Sequence, residues 1–162
     1  MKRKQIDLIR QIIAILTIIG CLYSFLIGIW TFGTNFTQYS LINKIIFVFF
    51  FCLYLFGIKI SIHLYNNNSK YLFLFEIFTL LQVFSIQSSV ISYKFSTALN
   101  FLIHFKINQA DDFIIGTKFN FFNFFSWNFM SDINTFYCSI NLVSIIILVF
   151  INIYLTPKKR SE

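Results

Sequence analysis

The sequence predicts an all-α, polytopic membrane protein with four transmembrane helices, forming a single membrane-embedded domain over residues 1–162. Three observations predict it. Four stretches, 12–30, 41–65, 71–93 and 136–155, are long and apolar, and a span needs about 20 mostly apolar residues to cross about 30 Å of hydrocarbon. No Asp, Glu, Lys or Arg occurs from residue 11 to 43, or from 133 to 157. Hydrophobic residues make up 57% of the chain and charged residues 12%, about half the roughly 25% charged share of a soluble domain.

The first stretch follows the basic start Met1-Lys2-Arg3-Lys4. It is too long for the apolar core of a signal peptide and no small-x-small cleavage site follows, so it is expected to be a retained span. Gly20, Ser24 and Gly28 recur at a spacing of four, on one helical stripe where another backbone can approach closely. The second and third stretches are joined by Asn66-Asn67-Asn68-Ser69, a turn-forming sequence. An antiparallel pair turning there brings Lys59 and Glu76 to similar depth, with His63 one turn from Lys59. These three are expected to form an intramembrane ion-pair cluster, because charges within a span usually find partners.

The third stretch is the most polar. Gln82, Ser85 and Ser89 fall on one helical face, and Asn141, Ser144 and Asn152 form a stripe on the fourth. Polar groups in hydrocarbon should face protein or water, so these two stripes are expected to meet as a polar interhelix face. Between the last two spans lies the segment 94–135. Phe95, Ala98, Leu99, Leu102 and Phe105 have helical periodicity, which predicts an amphipathic helix in the membrane interface. Gln109-Ala110-Asp111-Asp112 predicts a loop or helix start. Seven aromatic residues from Phe119 to Phe129 predict a second interfacial, re-entrant or docking piece, with Trp127 at the headgroup boundary.

Lys and Arg near the span ends give the orientation. With the N-terminus inside, nine basic residues fall on the inner side, and Lys44, Lys94, Lys106 and Lys118 on the outer. Both termini are then cytoplasmic or in an organelle matrix, and the net charge of +7 is explained by orientation rather than by nucleic acid. Phe, Tyr, Met, Ile, Asn and Lys, the residues of AT-rich codons, account for 86 of 162 positions. That composition points to an AT-rich genome, so the inner membrane of an organelle such as the mitochondrion, or of a bacterium, is the expected location.

Catalytic constellations are missing from the sequence. There is no metalloprotease motif, no phosphate-binding glycine loop and no nucleophile elbow. Asp111 and Asp112 are adjacent, so on a helix they would not face each other. Cys21, Cys52 and Cys138 form no CxxC motif. No catalytic residue, cofactor, metal ligand, small-molecule substrate or nucleic-acid partner is therefore expected. The expected partners are the lipid bilayer and other membrane subunits. In span count and basic termini the chain resembles the four-span immunity proteins against pore-forming bacteriocins. Two functions follow as expectations. One is a non-catalytic structural or accessory subunit of a larger membrane complex, such as an organelle-encoded subunit of an energy-transducing complex. The other is a self-contained bacterial inner-membrane protein, such as a bacteriocin-immunity protein or a minor transporter.

Overall fold

A computed structural model describes residues 2–88, 91–97, 99–107, 113–121, 126–129 and 136–156. The chain begins with two long helices, α1 (Arg3–Thr34) and α2 (Leu41–Tyr65). At about 1.5 Å per residue they are about 48 and 38 Å long. Ser40 caps α2 by accepting the Asn43 N–H. Among the described residues these are the two helices long and apolar enough to cross a membrane.

The helices pack as an antiparallel hairpin. The buried positions of α2 include Phe47, Phe50, Tyr54, Gly57, Ser61 and Leu64, and those of α1 include Arg10, Ala14, Thr17, Cys21, Ser24 and Gly28. Both series alternate steps of three and four, the 3.5-residue repeat of a coiled-coil seam. Small residues let the backbones close in at the middle. A Cβ at Gly57 would stand 2.8 Å from Cys21 Sγ.

The chain turns at 66–68, where Asn67 takes φ of 58°, a conformation that asparagine tolerates better than most residues. A 3-10 turn at Ser69–Tyr71 leads into α3 (Leu72–Leu80), which is only nine residues long. Six antiparallel strands follow: β1 (Phe84–Gln87), β2 (Ile91–Lys94), β3 (Leu99–Ile107), β4 (Phe113–Phe121), β5 (Ser126–Phe129) and β6 (Phe136–Asn141). They form one sheet in the order β4-β3-β6-β1-β2-β5. The last helix, α4 (Leu142–Phe150), continues as a π-turn over Ile151–Leu155.

The fold is therefore mixed α and β, and the four-span, all-α expectation is overturned. The stretch 71–93 is a nine-residue helix, a turn and two strands. The stretch 136–155 is a strand, a short helix and a π-turn. The physical reason lies in period. Ser85 alternates with Phe84 and Ile86, and β-branched and aromatic residues favour a pleated surface over a helix. Hydropathy averages over both patterns and does not separate them. The amphipathic helix expected from residue 95 is corrected for the same reason. Leu99, Phe101, Ile103, Phe105 and Ile107 alternate with Asn100, Leu102, His104 and Lys106, and the segment is strand β3. Part of the aromatic segment forms β4 and β5. Residues 109–112, 122–125 and 130–135 lie outside the described residues, so the loop expected at Gln109–Asp112 is not placed.

The core lies where α3 and α4 meet the α1–α2 hairpin. Phe78, Phe95, Tyr54 and Phe50 are buried together, with Phe95 centroids 5.4–5.7 Å from the other three rings. Ile151 and Leu64 extend it toward the 66–71 turn.

Candidate functional site: a curled sheet, apolar outside and polar inside

Register sorts the sheet residues by face, with Thr117 the polar exception on the apolar side. On one face lie Phe84, Ile86, Phe101, Ile103, Phe105, Ile107, Phe113, Ile115, Phe119, Phe136 and Ile140, joined by opposed pairs such as Phe101↔Phe119 and Phe105↔Ile115. On the other face lie Ser85, Gln87, Ser92, Lys94, Asn100, His104, Lys106, Gly116, Lys118, Asn120, Tyr137, Ser139 and Asn141, with Leu102 and Ile114 as the apolar exceptions. Burial runs opposite to the soluble pattern. Ser85, Ser92, Asn100, Ser139 and Asn141 are buried, while Phe84, Phe113, Ile115 and Phe119 are each more than half exposed.

The sheet is curled with the polar face concave. On a flat sheet the edge strands β4 and β5 would stand five strand spacings apart, about 24 Å. Yet Phe121 and Ser126 are five residues apart in sequence, a reach of at most about 18 Å. Only curvature reconciles the two lengths. Electrostatics agree. Lys94 on β2 has its pKa lowered first by burial and second by the charge of Lys118 on β4, four strand steps away in the sheet. Small residues make such curling possible inside. A Cβ at Gly116 would run into the His104 ring, against its Nε2 and 2.6 Å from its Cε1, and that ring stacks on Tyr137 at 5.3 Å.

A buried polar network closes the end of the sheet against the helices. Asn141 Nδ2 donates to Asn100 Oδ1 at 2.7 Å and to Ser144 Oγ at 2.9 Å, and Ser96 Oγ donates to Asn100 Oδ1 at 2.6 Å. Gln82 Oε1 accepts from the Thr97 N–H at 3.1 Å and from its hydroxyl at 2.8 Å. Beside it lies a cavity of about 130 Å³ lined by Thr17, Thr79, Gln82, Thr97 and Ser144 among apolar residues. An apolar groove of about 350 Å³ lies between Ile45, Phe49 and Leu53 of α2 and Leu81 and Tyr93. There the Tyr93 hydroxyl donates to the Leu81 carbonyl at 2.8 Å, and burial pushes its pKa up to about 12.

The residues singled out by the sequence are placed as follows. Gly20, Ser24 and Gly28 are all buried on α1. Lys59 is exposed, and the Glu76 carboxylate accepts from the Thr156 hydroxyl at 3.3 Å. His63 stacks on Tyr71 at 3.8 Å rather than meeting Lys59. The one ion pair among the described residues is Arg10–Asp7, at 2.9 Å. Gln82, Ser85, Asn141 and Ser144 are not two helical stripes. Gln82 is in a turn, Ser85 bonds Ser139 across β1 and β6, and Asn141 caps α4 while bonding Ser144. Asn152 is exposed and bonds the carbonyl of Leu148. Ser89 lies outside the described residues. Sequence reasoning missed Asn100, Thr97, Ser139 and Gly57. The period-2 alternation around Asn100 and the scarcity of glycine at Gly57 were the available signals.

No group of three or more His, Cys, Asp or Glu residues able to hold a metal occurs among the described residues. No known family, curated protein or solved structure matches the chain.

Proposed function

We propose that the chain is a non-catalytic integral membrane subunit, inserted through the α1–α2 hairpin, with its curled sheet packed against lipid or neighbouring subunits. One observation carries this proposal: apolar exposure runs from the helices onto the outside of the sheet, while polar groups are turned inward. Only 39% and 33% of the most apolar windows of α1 and α2 is buried, so neither helix is enclosed as a soluble core helix would be. Leu26, Trp30, Leu41, Ile42 and Ile45 are each more than 60% exposed. Soluble proteins rarely leave so large a contiguous apolar surface uncovered. An outer apolar and inner polar alternation is the pattern of strands facing lipid. Lys2, Arg3, Lys4 and Arg10 at the start of α1 and Lys70 just beyond α2 fall on one side of the hairpin, which supports an orientation with both of its ends on the cytoplasmic or matrix side.

The exposed Cys52 on α2 and the buried Cys21 on α1 provide the test. In native membranes a charged, impermeant maleimide should spare both thiols, because a thiol in hydrocarbon does not ionise to the reactive thiolate, and both should react once the chain is denatured in SDS. Labelling of Cys52 by the charged reagent in membranes, or release of the protein by alkaline carbonate, would refute insertion. Mild-detergent native gels then test the subunit assignment: co-migration with a larger complex is expected. Migration as a free monomer would favour a self-contained protein.

A further inference from the structure

Hydrogen-bonding capacity on the concave face is unbalanced. Lys94 and Lys118 lie on it from β2 and β4, and both have their cationic ends outside the helical spans. Lys94 is half-buried and Lys118 is exposed, and two like charges close enough to sense each other favour an anion bound between them. Only two carboxylates occur among the described residues, and both are engaged elsewhere. Asp7 pairs with Arg10, and Glu76 accepts from Thr156. The neighbouring side chains on the same face are also donors without partners among the described residues. Asn100 is 1% exposed, and its Nδ2 is buried and unbonded although its Oδ1 accepts twice. Asn120, directly opposite it on β4, likewise has a buried, unbonded Nδ2. His104 Nδ1, four residues along β3, is a third such atom. Buried polar groups are ordinarily satisfied, so three orphans on one face, beside two ammoniums with no ion pair among the described residues, call for a common partner. That partner must accept hydrogen bonds, carry negative charge and be small enough to enter a narrow curled sheet.

We propose that the concave face of the sheet is an anion site for a phosphate group, held by Lys94 and Lys118 and by the side-chain N–H groups of Asn100 and Asn120, with His104 at its margin. A phosphate presents several acceptor oxygens and roughly two negative charges near neutral pH, which matches two ammoniums and two amides. A phospholipid's phosphodiester presents the same kind of acceptor oxygens with one charge rather than two, so free inorganic phosphate and a headgroup are the two sources of this chemistry. The site does not depend on the chain crossing a membrane, because every group in it belongs to the sheet.

The test uses the full chain purified in a neutral detergent, with inorganic phosphate as the probe and thermal unfolding and phosphorus NMR line width as readouts. Phosphate should raise Tm saturably and broaden its own resonance. Lys94→Met and Lys118→Met should each weaken that affinity at least about tenfold, the loss of one charge-assisted contact. Without phosphate they should raise Tm, because a repulsion has been removed; a merely structural lysine would lower it. Lys4→Met, on the exposed start of α1 and outside the sheet, should respond to phosphate as the unaltered chain does. If a methionine variant fails to fold, Lys94→Arg should fold and keep binding. Displacement of phosphate by short-chain phosphatidylglycerol assigns the site to a headgroup, and no displacement assigns it to free phosphate. Displacement by phosphatidylcholine to the same extent, absence of any phosphate effect, or equal responses in all variants would overturn the proposal.

Discussion

Replacing Gly57 by alanine tests the packing of the whole helical layer with one methyl group. On helix propensity alone, Gly→Ala inside a helix should stabilise by about 1 kcal/mol. The structure opposes this. The new Cβ would stand 2.8 Å from both Cys21 Sγ and Phe78 Cε2, well inside contact distance. Neither neighbour can retreat. Cys21 and Phe78 are at most 1% exposed, and the Phe78 ring is held edge-on by Phe95 at 5.5 Å and by Phe56 at 6.5 Å. Overpacking of this kind typically costs about 1–3 kcal/mol, so the net change should be a loss of up to about 2 kcal/mol. In a chain of this size that lowers Tm by roughly 2–8 °C. Gly33→Ala is the matched control. Gly33 lies near the end of α1 with nothing within 4 Å of the added Cβ, so only the propensity gain remains. The assay is thermal unfolding by circular dichroism in one detergent, with the double variant Gly57→Ala/Phe78→Leu as a rescue. If Gly57→Ala is as stable as Gly33→Ala, or if trimming Phe78 restores nothing, then α1, α2 and α3 do not meet at this point.

Asn141→Leu should destabilise by about 1–3 kcal/mol, because Asn100 and Ser144 lose their buried donor, and Asn100→Leu/Asn141→Leu should cost less than the sum of the single changes; denaturant melts of the cycle check this. Lys59→Met should change stability by no more than about 0.5 kcal/mol, because Lys59 is exposed, and its effect should add to that of Glu76→Gln in the same melts; strong coupling would mean the two groups interact after all. Lys94 gives a pH dependence whose sign is fixed. Its folded pKa lies below 10.5, so as pH rises through that value the folded state releases its proton before the unfolded state does. Stability should therefore rise with pH up to about the unfolded pKa. In Lys118→Met that rise should shrink and shift to higher pH, and an unchanged profile would show that the two lysines do not sense each other.

Local sequence was enough for the two long apolar helices, the turn between α2 and α3, and the small residues buried on α1. Each of these is written locally: about 20 mostly apolar residues, an Asn-rich break, a Gly-x-x-x-Ser-x-x-x-Gly stripe. What it could not decide was the state of the third and fourth apolar stretches. Ser85, Asn100 and Asn141 have positions compatible with a helical stripe and with an alternating strand, and total hydropathy is the same in both. Pairing decided between them. Ser85 is opposite Ser139, and His104 opposite Ser139 from the other side, 54 and 35 residues away in the chain. A strand is stabilised by neighbours that the local sequence does not contain, whereas a helix satisfies its backbone within itself. The same long-range pairing curled the sheet and brought Lys94 and Lys118 onto one concave surface, from segments 24 residues apart that no motif connects.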